Sequence, residues 1–195
     1  VNNSLFYVVE KAAALSVSTS EDTAKAVTLS AADADGDALT YTVSSSASNG
    51  TTSVTGGTVT YTPRANYNGT DSFVVTASDG KGGTAAQTVN VTVSAVNDAP
   101  SFVEPTPEGE LTASEGVELS FVVTATDVDE DELSFSMAGL PASASLDSDT
   151  GVFSWTPSWE EAGAYTLVIT VTDGELAGGA PSRICVSVGS GAPGA

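Results

Sequence analysis

The stretch Asp33-Ala-Asp35-Gly-Asp37-Ala-Leu39-Thr-Tyr41-Thr-Val43 runs from three spaced carboxylates into a strict alternation of apolar and polar residues. It recurs as Asp127-Val-Asp129-Glu-Asp131-Glu-Leu133-Ser-Phe135-Ser-Met137, 94 positions on. Carboxylates at alternate positions lie on one side of an extended chain, where they repel one another unless something positive sits among them. A single copy reads as a solvated Asp-Gly turn between strands. Two copies at a fixed spacing favour a cation site.

Working outward, the same shift of 94 aligns Ser20-Glu21 with Ser114-Glu115. It aligns Gly57-Thr-Val-Thr-Tyr61-Thr-Pro63 with Gly151-Val-Phe-Ser-Trp155-Thr-Pro157, and Asp79-Gly80 with Asp173-Gly174. No gap is needed between residues 20 and 80, so the chain is two copies of one unit. Val96-Asn97-Asp98-Ala-Pro100 joins them, and Val1-Asn2-Asn3 and Ala192-Pro193 look like remnants of similar joints. The expected organisation is a first unit over residues 1–96, a linker over 97–100, a second unit over 101–189 and a tail over 190–195. The chain starts at Val1 with no leader segment and is expected to be a piece of a longer array.

Within each unit the period is two. Val27 to Ala31, Leu39 to Val43, Thr58 to Tyr61, Phe73 to Ala77 and Val89 to Val93 all alternate, with Gly, Asn and Asp between them. About seven short strands per unit predict an all-β chain of two tandem seven-stranded β-sandwiches of immunoglobulin-like type. Tyr61 and Trp155, which align, are expected in the cores. Cys185, in an alternating run, is expected to be a small core residue. Trp159 is expected to cap the second core, with stacking on a sugar ring as the other reading. Residues 5–9, Leu-Phe-Tyr-Val-Val, are more continuously apolar than a half-exposed strand needs. They read as a buried strand or as one donated to a neighbouring chain. Residues 10–15 read as a break in the first strand.

The composition narrows the function. There are 25 Asp+Glu against 5 Lys+Arg and no His, for a formal charge of −20. Such a chain is not expected to bind nucleic acid or anionic membranes, whose phosphates need cations. The hydrophobic share of 41% is enough for cores. One cysteine allows no intrachain disulfide, and no apolar run is long enough to cross a membrane. Without His, neither a Ser-His-Asp nor a Cys-His centre can form, and a non-enzymatic role is expected.

Strand alternation also places the acids. If successive strands run down and up, Glu21 falls at the bottom of the first unit, as do Asn97 and Asp98. Asp33, Asp35, Asp37 and Asp79 fall at its top, and Asp127, Asp129, Asp131 and Asp173 at the top of the second. Hanging the second unit below the first would gather Glu21, Asn97, Asp98, Asp127, Asp129 and Asp173. Oxygen donors in that number suit Ca2+, which accepts flexible geometry, better than Mg2+. The lack of His, with a single Cys, disfavours zinc and copper. An EF-hand starting at Asp33 would need Gly and Glu where Ala38 and Ser44 stand.

Several motifs together resemble a known repeat: Glu21-Asp-Thr, the Asp-Ala-Asp-Gly-Asp run, Tyr61-Thr-Pro63, Tyr67-Asn-Gly69-Thr-Asp71-Ser-Phe73, Ser78-Asp79-Gly80 and Asn97-Asp98-Ala-Pro100. They resemble the cadherin-like tandem repeat of large bacterial surface and secreted proteins. The second unit resembles the dystroglycan-type cadherin-like domain, with Trp159-Glu-Glu161 in place of the first unit's loop. The resemblance implies calcium at domain junctions, an extracellular location, and adhesive or polysaccharide-binding roles. Three functions follow as expectations. One is a calcium-rigidified adhesive or spacer segment, partnered by neighbouring repeats or a like domain on another cell. The others are a carbohydrate-binding module of a polysaccharide-degrading system, and a filament subunit joined by strand donation.

Overall fold

The computed structural model describes residues 14–103, 109–178 and 182–189. Residues 5–9, and most of the break read at 10–15, lie outside them. The chain divides into two compact units, Val1–Val96 and Asn97–Ala195.

The first unit contains β1 (Leu15–Ser20), β2 (Lys25–Thr28), β3 (Thr40–Ser45), β4 (Gly50–Thr55), β5 (Thr58–Pro63), β6 (Gly69–Ser78) and β7 (Thr84–Ser94). One sheet has the order β1-β7-β6-β3 and the other β2-β5-β4. All pairings are antiparallel except β1 with β7, which is parallel. Seven alternating strands bring the first and last to one direction, so their adjacency requires that exception. The period-two pattern fixes the faces. Along β6, Asp71, Phe73, Val75 and Ala77 point inward, and along β7, Val89, Val91 and Val93 do. Phe73, Val75 and the three valines of β7 meet Val27, Leu29, Val59 and Tyr61 in one core. Tyr61 and Phe73 stack across it with centroids 6.0 Å apart. Each such buried side chain contributes about 1.5–3 kcal/mol.

The second unit repeats the plan with more breaks. It contains β8 (Ser101–Phe102), β9 (Gly109–Ser114), β10 (Leu119–Val122), β11 (Ala125–Thr126), β12 (Ser134–Ala138), β13 (Ser145–Leu146), β14 (Val152–Trp155), a 3-10 turn (Trp159–Glu161), β15 (Gly163–Thr172) and β16 (Ser182–Gly189). Its sheets are β12-β15-β16-β9 and β10-β14-β13, with the short pair β8-β11 beside them. Here too the outer pair, β9 with β16, is parallel. The 94-residue shift maps β1 onto β9, β2 onto β10 and β6 onto β15 end for end.

Tyr61 and Trp155 are both buried, at 0% and 1% exposure. Two expectations are corrected. Cys185 is exposed. Its neighbours Ile184 and Val186 point into the core, so the alternation turns the thiol outward. Trp159 is 73% exposed and does not cap the core. Tyr165 takes that place, its ring set edge-on to Trp155 with centroids 5.0 Å apart. Its hydroxyl donates to the Glu161 carbonyl at 3.0 Å.

Candidate metal centre

In the second unit the acidic run leaves β11 as a tight loop. Asp127 Oδ1 accepts the backbone N–H of Asp129 at 2.8 Å and that of Asp131 at 3.4 Å. Glu130 stands at φ +63 to close the turn. Carboxylate oxygens of Asp127, Asp129 and Asp131 thereby converge within 4.8 Å of one another. The chain after Val96 comes back over them. Asp98 N–H donates to Asp129 Oδ2 at 2.8 Å, and the Asn97 side-chain amide donates to Asp173 Oδ2 at 2.8 Å. Asp173, from the loop after β15, also accepts from Glu175 N–H at 2.7 Å and Leu176 N–H at 2.6 Å. The Leu176 amide foremost, then Asn97, hold its carboxyl below the usual range, so it is anionic at neutral pH. Thus Asn97, Asp98, Asp127, Asp129, Asp131 and Asp173 share one end of the second unit.

This set fits a hard dication. Its carboxylates offer only oxygen ligands, and they outnumber any cation in reach among the described residues. Asp127 Oδ2 is buried with no hydrogen-bond partner. An orphaned, buried carboxylate oxygen is costly, and a metal bond is one way to satisfy it.

The first unit brings its own counterparts together differently. Asp33 Oδ1 accepts from Asp35 N–H and Asp37 N–H, both at 3.0 Å. Gly36, at φ +79, replaces Glu130 in the turn. Asp79 accepts from Lys81 N–H at 2.7 Å and Gly83 N–H at 2.9 Å. Asp37 is engaged by the Lys81 ammonium at 2.7 Å. Glu175 occupies the aligned position in the second unit. Among the described residues, the first cluster carries its own tethered cation and the second does not.

Glu21 lies at the opposite end of the first unit, just after β1. It is 3% exposed, and its Oε1 accepts Val96 N–H at 2.5 Å. Its Oε2 is buried with no hydrogen-bond partner. At the same end Asp22 Oδ1 accepts Asn66 N–H at 3.2 Å.

Sequence reasoning passed over one buried acid. Asp71 accepts backbone N–H groups from Ser48 at 3.0 Å and Asn49 at 2.8 Å, and the Tyr61 hydroxyl at 3.0 Å. The signal was its register, two residues before Phe73 on the inward face of β6.

Residues 8–92 match the family model described as "Bacterial Ig domain", and residues 100–184 match the one described as "Putative Ig domain". The two units are thus tandem immunoglobulin-like domains, and their fold is like that of cadherin domains. It is similar to human protocadherin-24 EC1-2, at 21% identity and TM-score 0.60, covering 90% of this chain and 95% of that one. It is also similar to Drosophila N-cadherin EC1-4, at 17% identity and TM-score 0.56, covering 90% of this chain and 49% of that one. An endo-fucoidan hydrolase of glycoside hydrolase family 107 aligns at 20% identity and TM-score 0.39. The alignment covers 91% of this chain and 28% of the hydrolase. None of the curated proteins matches the chain.

Proposed function

We propose that the chain is a calcium-rigidified adhesive or spacer segment of an extracellular protein. The observation that carries this reading is the meeting of Asn97, Asp98, Asp127, Asp129 and Asp173 from three separated segments at one end of the second unit. Two of those residues belong to the connection that follows Val96, whose N–H is held by the buried Glu21. A Ca2+ ion on these oxygens would fix the connection to the second unit, and Glu21 would fix its other side. Each unit has a core of its own, so neither needs the metal to fold, and the metal's role is to fix the connection. Neighbouring repeats and a like domain on another cell are the partners this role implies. The exposure of Trp159 supports a second reading, a carbohydrate-binding module, which a glycan array would distinguish.

Calorimetry on the whole chain should show saturable calcium binding that is lost in the Asp127→Ala, Asp129→Ala double variant. Small-angle scattering should give a narrower distribution of shapes in calcium than in chelator, with an unchanged β-type circular dichroism spectrum. Undiminished calcium binding by the double variant, or identical scattering with and without metal, would overturn the reading.

A further inference from the structure

The loop that carries Asp173 turns straight back on β15. Thr172 pairs with Ala177, and its hydroxyl donates to the Leu176 carbonyl at 2.7 Å. Gly178 N–H then donates to the Val171 carbonyl at 2.8 Å. Gly178 is buried, and so is Pro100 of the connection that follows Val96.

These two residues lie against each other with no room between them. A Cβ on Gly178 would sit 2.5 Å from the Pro100 carbonyl oxygen and 2.6 Å from Val171 Cγ1. Carbon contacts settle at roughly 3.5 Å or more, so any side chain here would drive the loop off the connection. The φ of Gly178 lies outside the left-handed region, so close approach and not conformation requires the glycine. The 94-residue shift puts Thr84 at the matching position of the first unit, where a side chain is present.

The loop therefore holds the connection at two points. Asp173 accepts from the Asn97 amide at 2.8 Å, and Gly178 abuts Pro100. Asp98 lies between those points, and its N–H reaches Asp129 Oδ2 at 2.8 Å.

We propose that Gly178 is a positioning residue of the candidate metal centre. Its bare Cα lets the loop seat on Pro100. That contact sets the register of residues 97–100 and brings Asn97 and Asp98 over the carboxylates of Asp173 and Asp129. The effect on an ion rests on the calcium reading above, whereas the effect on the connection rests on these contacts alone.

The test uses the whole chain with Gly178→Ala. In chelator, hydrogen exchange at the Asp98 amide should be at least tenfold faster than in the parent, while the core amides of Leu167 and Ile169 keep their rates. In calcium titrations followed by calorimetry, the Kd should rise at least tenfold. Gly189→Ala, whose added Cβ meets open space, should change neither. Gly178→Ala with Val171→Ala relieves the clash inside the core and keeps the one with Pro100, so it should show the same two changes. An Asp98 amide that exchanges at the parent's rate in both Gly178 variants would overturn the proposal. Faster Asp98 exchange with an unchanged calcium Kd would overturn it too. A parent that binds no calcium, with Asp98 exchange still faster in the variants, would sink the calcium reading and uphold Gly178 as the residue that positions the connection.

Discussion

The Tyr61 hydroxyl donates to Asp71 Oδ2 at 3.0 Å in the interior of the first unit, tying the two sheets together through β5 and β6. Burial pushes the Asp71 carboxyl up. The backbone N–H groups of Ser48, Asn49 and Ser72, with the Tyr61 hydroxyl, outweigh it and hold the group below its ordinary value of 3.8. Burial and that same carboxylate push the Tyr61 hydroxyl up, so it stays protonated at all working pH values.

A carboxyl with a depressed folded-state pKa adds stability above its unfolded pKa and loses it as pH falls toward the folded one. The first unit should therefore be destabilised below about pH 4, as Asp71 protonates. Asp71→Asn should flatten that part of the acid profile. Tyr61→Phe should cost about 1–2 kcal/mol at neutral pH, since it removes a hydrogen bond to a charged group. Denaturant melts at pH 3 and pH 7 check both. An acid profile identical in Asp71→Asn and the parent would contradict the assignment.

The second unit replaces that lock with a relay. Trp155 Nε1–H donates to Ser143 Oγ at 3.0 Å, and Ser143 Oγ donates to Glu161 Oε2 at 2.7 Å. Glu161 also accepts Ser158 N–H at 2.9 Å, and these donors, Ser158 foremost, lower its carboxyl to about 2. Ser143→Ala leaves the indole N–H of a buried ring without its acceptor and should destabilise this unit by about 1–3 kcal/mol. The melt of the second unit, followed by tryptophan fluorescence, should move to lower denaturant, while that of the first stays in place.

Gly36 and Glu130 hold the same turn position, at φ +79 and φ +63. Only glycine adopts that region without penalty, which for other residues is roughly 1–2 kcal/mol. Glu130→Gly should raise the stability of the second unit by about 1 kcal/mol. Gly36→Ala should lower that of the first by a similar amount, because a Cβ there meets open space and only the backbone term remains. Equal stability of each variant and its parent would show that the turn relaxes.

Calcium should stabilise the second unit selectively. A ligand that binds the folded state alone, at a hundred times its Kd, adds about 2.7 kcal/mol. In chelator the melting temperature of the second unit should fall by several degrees, and the Asp127→Ala, Asp129→Ala variant should melt alike with and without metal. A first unit that shifted by as much would place the site elsewhere.

By itself the sequence determined the repeat, the class of fold and the inward face of most strands. A period of two has only two phases, and Phe73, Val75, Val89 and Val91 leave no doubt which faces the core. From alternating strand direction it also offered Glu21, Asn97, Asp98, Asp127, Asp129 and Asp173 as one metal site. Tertiary structure decided what local pattern does not encode. Cys185 turns outward because Ile184 and Val186 take the inward phase, although sulfur is apolar enough for either face. Trp159 stands in solvent because Tyr165, from another strand, already covers Trp155. Asp71 can be buried only because amides from residues 48 and 49 and a hydroxyl from residue 61 reach it across the fold. Lys81 neutralises Asp37 across 44 positions of sequence, a pairing that exists only once two loops share an end. In each case the deciding partner is distant along the chain, so the outcome depends on which sites other residues have already filled.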